Sequence, residues 1–191
     1  HAYKIFVGSE KSKLDFANYF KCDLNKIIKR YMISPLVEKS INSKENMNTK
    51  TRILPNNYFF YPAQFWPHKN HIYIIEAFEH FKKNKINIKC IFCGHDKGNL
   101  KYIKNEIQKR NLTEYFELYD FLPDDEIINL YKNSTAVIMP SLVGTNSFIH
   151  TESFYFKKMV FANGNVLGDD FNERVINLDI LKPKDLLEKY I

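Results

Sequence analysis

The feature that most constrains the fold is an alternation of strand-like and helix-like segments that continues over more than 130 residues. Short apolar runs, which are typical of buried strands, alternate with longer segments whose apolar residues recur at helical spacing. The strand-like segments lie at 57–64, 86–94, 115–122 and 135–141, followed by an apolar stretch at 158–163 and a weak strand at 174–178. The helix-like segments lie at 72–81, 100–107, 123–133, from 148 onward, and at 182–191.

This alternation predicts an α/β fold with a mostly parallel, Rossmann-like sheet and helices on both faces. In such sheets, ligands bind at the carboxyl ends of the strands, near the point where the strand order reverses. The loops that follow Tyr61, Cys93, Tyr119 and Met139 are therefore the candidates for a binding site.

The first part of the chain has a different pattern. Residues 3–20 are typical of a short strand, a turn and a helix, and residues 26–37 of a second extended apolar segment. Residues 38–52 are polar and nearly free of large apolar side chains, which indicates a surface loop.

Three parts of the chain follow from this pattern. We predict that residues 1–36 are the tail of a preceding domain, that 37–57 form a linker, and that 58–191 form the main domain. Because the chain has no signal peptide and begins with His1 rather than Met, we expect it to be an excised or processed piece.

Composition narrows the function classes. The formal net charge is +6, but the lysines are scattered rather than gathered in a stripe, so no nucleic-acid partner is predicted. No apolar run approaches the length that a membrane-spanning helix requires. The three cysteines are typical of a protein from a reducing compartment.

Two short motifs suggest metal binding, but their context argues against it. Cys90 and Cys93 form a CxxC within a predicted strand, where positions i and i+3 point to opposite faces, so we expect buried structural thiols. His68 and His71 lack the spacing of the zinc-binding HExxH motif. We expect His71 to cap or pack the start of a helix, and no metal site is predicted.

The loop after the first strand of the main domain, "PAQFWPHKNH", carries a single cation, Lys69. Gln64, His68 and Asn70 in the same loop can donate hydrogen bonds. An ammonium group beside a helix N-terminus suits a phosphate, because both attract the same anion. The alternative is that Lys69 is a solvated surface residue.

Two further strand ends carry candidate residues. Gly94 directly follows a strand, where the absence of a side chain lets another group approach the backbone. Phe121 and Leu122 end the next strand and could flank a nucleotide base. The alternative is that they pack against the following helix as a hydrophobic staple.

The loop after the strand at 135–141 is small and polar, and it leads into a helix that contains Glu152. Its residues Gly144, Thr145, Asn146 and Ser147 would expose amide groups beside the unpaired first N–H groups of that helix, forming a seat for an anion. Glu152 could accept hydrogen bonds from two neighbouring hydroxyls, as a ribose presents them. The alternative is that Glu152 only caps a helix or forms a local ion pair.

Taken together, these motifs resemble the C-terminal, donor-binding half of a GT-B glycosyltransferase, specifically the retaining family 4. The resemblance covers roughly residues 55–180. It is carried by "AQFWPHKN", by "FLPDDEIINLYKNSTAVIMPS", and by the spacing from Gly144 to Glu152, which matches the Glu-x7-Glu loop of the family.

The resemblance implies a role for each candidate. Lys69 would contact the diphosphate of a nucleotide sugar and Glu152 would bind the ribose, which makes these two the candidate catalytic residues. Phe121 and Leu122 would flank the base.

Other positions would contact the phosphates and the sugar, and two of them depart from the family pattern. Thr145, Asn146 and Ser147 would present their amides to the donor. Gln64 stands where the family has an Arg, and Gly144 replaces the first Glu. Each replacement removes a charge-assisted hydrogen bond, which typically contributes about 1.5–3 kcal/mol.

The resemblance also implies the reaction: transfer of a sugar from a nucleoside-diphosphate donor to a glycan or lipid-linked acceptor, without a metal or other cofactor. The resemblance implies work in the cytoplasm on polysaccharide or other glycan precursors, with peripheral contact to the inner face of a membrane through an N-terminal half. We expect the isolated chain to bind nucleotide weakly without turnover. The alternative is a non-catalytic nucleotide-sugar-binding module that acts in assembly or regulation.

Overall fold

The computed structural model describes residues 2–30, 33–42, 53–144, 148–167 and 174–191. At the start of the chain, strand β1 (Ile5–Val7), helix α1 (Glu10–Phe20) and strand β2 (Ile27–Lys29) form a small unit in which the two strands pair in parallel. Ser9 caps α1, because its side chain accepts a hydrogen bond from the backbone of Ser12. This order confirms the strand, turn and helix predicted for residues 3–20.

The next element corrects the prediction. Residues 35–37 were predicted to be extended and 38–42 to be loop, but helix α2 covers Pro35–Asn42. Its first turn carries Ser34 at the N-cap and Pro35 at the first helical position, a common helix start. Val37 is buried on this helix, and that burial stabilises a segment whose polar composition resembles a loop.

A six-stranded sheet organises the rest of the chain. Its strands are β3 (Tyr58–Pro62), β4 (Lys89–Cys93), β5 (Phe116–Tyr119), β6 (Ala136–Met139), β7 (Val160–Ala162) and β8 (Val175–Asn177). All neighbouring strands are parallel, and their order is β5-β4-β3-β6-β7-β8. From β3 the chain adds β4 and then β5 on one side. It then crosses to the other side of β3 and adds β6, β7 and β8. The strand order therefore reverses between β3 and β6.

Helices connect or follow these strands, and all but the short helix at Gly164–Leu167, which was not predicted, lie where the sequence predicts them. They are α3 (His71–Lys83), α4 (Leu100–Lys109), α5 (Asp124–Asn133), α6 (Phe148–Tyr155), α7 (Gly164–Leu167) and α8 (Lys184–Tyr190). The predicted mostly parallel sheet is thus confirmed.

The core lies on both faces of the sheet, as the continuous apolar composition of its strands requires. Phe59 and Phe60 are adjacent in β3 and point to opposite faces. Phe59 packs edge-on against Phe81 of α3, with ring centroids 5.9 Å apart, and Phe60 packs against Tyr131 of α5 at 5.0 Å. Helices therefore cover both faces.

Both cysteines of the CxxC are buried in β4 and carry free thiols, which confirms their predicted structural position. Burial raises the pKa of Cys90 well above its ordinary value. None of the helices in the described part of the chain has the length and hydropathy that crossing a bilayer requires.

Candidate functional site

The loops after β3 and β6 are joined directly at the point where the strand order reverses. The amide of Leu142 donates to the carbonyl of His68 at 2.8 Å, and the side-chain amide of Asn70 donates to the carbonyl of Pro140 at 3.2 Å. Asn70 adopts a left-handed backbone conformation (φ 55°) immediately before α3. The two loops therefore hold each other in place beside the crevice where open α/β sheets bind ligands.

A buried tyrosine supports this junction from below. The hydroxyl of Tyr61 donates to the carbonyl of Lys69 at 2.8 Å and lies 3.1 Å from the hydroxyl of Ser141. Burial raises the pKa of Tyr61, so the hydroxyl keeps its proton for this bond. Lys69 is consequently fixed through its own backbone.

The ammonium group of Lys69 has no carboxylate partner among the residues that the structure describes. Its side chain is half-buried, and this burial lowers the pKa of Lys69 below its ordinary value. A partly desolvated cation without a counter-charge has unsatisfied capacity to bind an anion. This arrangement differs from a fully solvated surface lysine, the alternative that the sequence left open.

His71 lies directly behind this loop and is fully buried. Its ring packs among three aromatic rings, with centroid distances of 4.8 Å to Tyr61, 5.1 Å to Phe65 and 4.9 Å to Phe92. Burial lowers its pKa to about 3, a shift that nearby Lys69 increases. The packing role predicted for His71 is confirmed, and the imidazole is neutral at physiological pH.

Gly94 allows two backbone segments to meet. A Cβ at this position would lie 2.4 Å from the carbonyl oxygen of Ala63, so only glycine fits there without displacement. The amide of Phe65 then bonds to the carbonyl of His95 at 3.0 Å. The group that approaches Gly94 is therefore the neighbouring loop, and its contact with a donor stays a prediction.

Phe121 and Leu122 differ in their surroundings. Leu122 is partly buried against the core, which agrees with the staple alternative, whereas Phe121 is 69% exposed. The ring of His95 stacks on Phe121 with centroids 5.4 Å apart and planes within 10°, and its Nδ1 lies 2.8 Å from a carboxylate oxygen of Asp120. These two rings form an exposed stack beside the loop. His95 was not among the residues predicted from the sequence, although it follows Gly94 in a candidate loop.

Gln64 is exposed, and its side-chain oxygen accepts a hydrogen bond from the indole of Trp66 at 3.0 Å. This bond orients the amide of Gln64, at the position where the resemblance places an arginine. Gly144 has a φ of +112°, a conformation that favours glycine. The predicted positions Thr145, Asn146 and Ser147 lie outside the described residues.

Glu152 is held by two hydroxyl groups. One carboxylate oxygen accepts from Ser34 at 2.5 Å and the other from Tyr131 at 2.6 Å. Burial, and then the nearby carboxylate, raise the pKa of Tyr131 well above its ordinary value. Glu152 forms no ion pair with the residues described, which argues against the ion-pair form of the alternative, whereas the capping form stays a prediction.

Sequence reasoning missed both partners of Glu152. Tyr131 lies on the apolar face of α5, where its hydroxyl gives no periodic signal. Ser34 precedes Pro35, a pair typical of a helix start, but nothing local connects it to Glu152.

The candidate residues thus offer a half-buried cation at Lys69 and a hydrogen-bond acceptor at Glu152. Across the described ranges there is no cluster of three or more His, Cys, Asp or Glu side chains that could hold a metal ion. The chemistry that these residues offer is charge stabilisation and hydrogen bonding.

Comparison with known proteins gives a family match. A family model described as "Glycosyl transferases group 1" matches residues 42–168, about two thirds of the chain. None of the curated protein sequences is significantly similar to this chain.

Several solved structures share the fold. A glycosyltransferase from Rickettsia africae aligns with a TM-score of 0.72 and 20% identity over 98% of this chain and 52% of its own. Anabaena HepE in complex with UDP-glucose aligns with a TM-score of 0.72 and 16% identity over 98% of this chain and 53% of its own. Sucrose-phosphate synthase from Thermosynechococcus elongatus aligns with a TM-score of 0.72 and 13% identity over 98% and 48%. The chain thus spans about half the length of these structures, and at such identities the likeness concerns the fold.

Proposed function

The chain belongs to the glycosyl transferases group 1 family, and we propose that it is the C-terminal, donor-binding part of a retaining family 4 glycosyltransferase. The reaction would transfer a hexose from a nucleoside-diphosphate donor to a glycan or lipid-linked acceptor. The observation that carries this proposal is the half-buried ammonium of Lys69, which lies where the strand order reverses and has no carboxylate partner in the described ranges.

The donor is expected to lie along the carboxyl edge of the sheet. Its diphosphate would contact Lys69, its ribose hydroxyls Glu152, and its base the exposed ring of Phe121. Anabaena HepE, which shares the fold, is described in complex with UDP-glucose, and UDP is therefore the first nucleotide to test.

Positions beside the diphosphate would complete the contacts. The main-chain amides of residues 144–147 would face the phosphates and the sugar, Gly94 would border the base, and Gln64 would donate a neutral hydrogen bond in place of the arginine. Leu122 would support the base from the core side.

In the proposed reaction, the bond between the anomeric carbon and the diphosphate breaks while positive charge grows on the sugar. Negative charge accumulates on the leaving diphosphate, and a fixed ammonium such as Lys69 stabilises it without reorganising during the reaction. This mechanism requires no metal cofactor. The acceptor would be bound by an additional N-terminal half at the inner face of a membrane, so the isolated chain is expected to bind donor without turnover.

Titration of the 15N-labelled chain with UDP, GDP and ADP tests the nucleotide site. The expected result is that at least one diphosphate shifts the amide signals of His68 to Asn70 and of residues around Glu152, while the amino-edge residues Asn56 and Asn87 stay unchanged. The absence of shifts near Lys69 and Glu152 with all three nucleotides would contradict the proposal.

A second candidate function is a non-catalytic nucleotide-sugar-binding module in assembly or regulation. What favours it is that Gln64 and Gly144 carry no charge, whereas the resemblance places Arg and Glu at these positions. Both functions predict nucleotide binding, so activity separates them. A catalytic protein loses sugar transfer when Glu152→Ala is made in a chain that carries its acceptor-binding half, whereas a binding module has no transfer activity to lose.

A further inference from the structure

We propose that Ser34 and Tyr131 are positioning residues that hold the carboxylate of Glu152 in the orientation that receives the ribose of the donor. The inference rests on the proposed function, in which Glu152 binds the ribose hydroxyls. It adds two residues that the motif of the family does not contain, one of them from the segment ahead of the sheet.

The geometry assigns one donor to each oxygen of Glu152. Ser34 donates to Oε1 at 2.5 Å and Tyr131 to Oε2 at 2.6 Å. Short O–H···O bonds of this kind are typical of an ionised acceptor and are stronger than bonds between neutral groups. With both oxygens fixed, the carboxylate cannot rotate without breaking a bond.

The two bonds leave acceptor capacity for a ligand. An ionised carboxylate offers about four lone-pair sites, of which the protein uses two. One free site then remains on each oxygen, which matches two neighbouring hydroxyls of a ribose. Both protein donors are neutral hydroxyls and place no counter-charge beside the carboxylate.

Both donors are buried and held by further contacts. The ring of Tyr131 is fully buried, stacks on Phe156 with centroids 5.3 Å apart, and meets the edge of Phe60 at 5.0 Å. Ser34 is 1% exposed, and its hydroxyl oxygen accepts from the amide of Leu36 at 3.2 Å. The hydroxyl oxygen of Ser34 therefore accepts from Leu36, while the hydroxyl proton of Ser34 is donated to Glu152.

The position of Ser34 makes helix α2 part of the site. Ser34 and Glu152 are separated by 118 residues, and α2 packs against α5 and α6. Exposed ion pairs from Lys39 to Asp124 at 3.3 Å and to Asp125 at 3.5 Å help to hold α2 on α5. Lys39 provides a control, since exposed ion pairs contribute little to stability and its removal changes α2 without removing a partner of Glu152.

The test compares nucleotides with and without the 2′-hydroxyl. Calorimetric titrations of the 191-residue chain use UDP, GDP and ADP, each against its 2′-deoxy form, with the variants Ser34→Ala, Tyr131→Phe, Ser34→Thr and Lys39→Ala. The wild-type chain should prefer the ribonucleotide by about tenfold, as expected for a hydrogen bond to a charged group. Ser34→Ala and Tyr131→Phe should lower this preference to about twofold, because a mobile carboxylate forms the bond less well.

The control variants separate positioning from folding. Ser34→Thr keeps the hydroxyl and should keep the preference, as should Lys39→Ala, and circular dichroism checks that each variant is folded. If Ser34→Ala and Tyr131→Phe weaken both nucleotide forms by the same factor, the positioning role is refuted while the nucleotide site stands. If the wild-type chain binds nucleotides without preferring the ribose form, or binds none, the assignment of Glu152 in the proposed function fails and this inference fails with it.

Discussion

Lys69 and Glu152 carry opposite charges on neighbouring connections of the same sheet, and the protein surrounds them in opposite ways. The ammonium of Lys69 has no carboxylate partner within the described chain, although the backbone beneath it is fixed by Tyr61. The carboxylate of Glu152 has a hydroxyl donor on each oxygen. Lys69 is thus positioned through its main chain, whereas Glu152 is positioned through its carboxylate oxygens.

The difference indicates how each group serves a ligand. A half-buried cation without a partner carries a desolvation cost in the free protein. Binding of an anion offsets that cost, which strengthens the binding. A carboxylate held by neutral hydroxyls contributes to the stability of the free protein and needs no rearrangement to receive a polar ligand. Changes at Lys69 should therefore affect binding, whereas changes at Glu152 should affect binding and stability together.

At neutral pH, the largest effect on stability is expected from Glu152→Ala. It removes two hydrogen bonds to a charged acceptor and leaves the buried hydroxyl of Tyr131 without its partner, so the free energy of unfolding should fall by about 3 kcal/mol. Urea denaturation followed by circular dichroism measures this change. An unchanged midpoint would mean that the two hydrogen bonds contribute nothing net, and the contrast with Lys69 would disappear.

Lys69→Met should weaken nucleotide binding without lowering the stability of the folded protein. The variant keeps the length of the side chain and removes the charge, so nucleoside-diphosphate affinity should fall by about tenfold or more. Stability should not fall, because a desolvated charge is removed. Calorimetry and thermal unfolding of the same preparation measure both quantities, with Lys97→Met, an exposed lysine on the next loop, as the matched control. A loss of stability with unchanged nucleotide affinity would contradict the role of Lys69 in nucleotide binding.

His71 provides a pH-dependent test of the region behind Lys69. Its folded-state pKa of about 3 lies below its ordinary value of 6.5, so the unfolded chain binds the proton first as the pH falls. This residue should therefore reduce stability by about 1.4 kcal/mol per pH unit below pH 6.5, until about pH 3. His71→Leu should flatten that part of the curve in urea denaturations between pH 7 and 4. An equally steep curve in the variant would assign the acid sensitivity to other groups.

The smallest effect is expected from Phe121→Ala. Because the ring is 69% exposed, its removal should leave stability within about 0.5 kcal/mol of the wild type. If the ring contacts the base, nucleotide affinity should fall by about fivefold or more, as loss of base–aromatic stacking of about 1–3 kcal/mol implies. Comparison of a nucleoside diphosphate with inorganic pyrophosphate checks this, since pyrophosphate has no base and should bind the variant as it binds the wild type.

Sequence reasoning identified most of the elements correctly because each gives a local signal. The apolar residues of β3, β4 and β6 form short continuous runs, and those of α3 and α4 recur every three or four residues. It was wrong at α2, where polar composition outweighed the Ser34–Pro35 helix start. Burial of Val37 against the rest of the molecule stabilises that helix, and this contact has no signature within the segment itself.

The candidate site could be predicted only in part. Lys69 and Glu152 could be selected because ligands of a parallel sheet bind at the carboxyl ends of its strands. A charged residue in a connection that follows such a strand end is therefore a candidate for ligand binding. That Lys69 is half-buried and Glu152 bonded to two hydroxyls could not be predicted, because burial and partners depend on how distant elements pack. His95 was missed since its stacking on Phe121 requires β4 and β5 to be neighbours in the sheet.

The sequence by itself determined the alternation of strands and helices, the parallel sheet that follows from it, and the loops in which charged residues would meet. These depend on residue periodicity, which backbone geometry translates into structure over a few residues at a time. Only the tertiary structure decided that Lys69 has no carboxylate partner within the described ranges and that Glu152 is held by hydroxyls, because Ser34 reaches Glu152 across 118 residues of chain. Such a contact depends on the docking of α2 against α5 and α6. The free energy of that docking comes from apolar surface that several elements bury together, so no single segment encodes it.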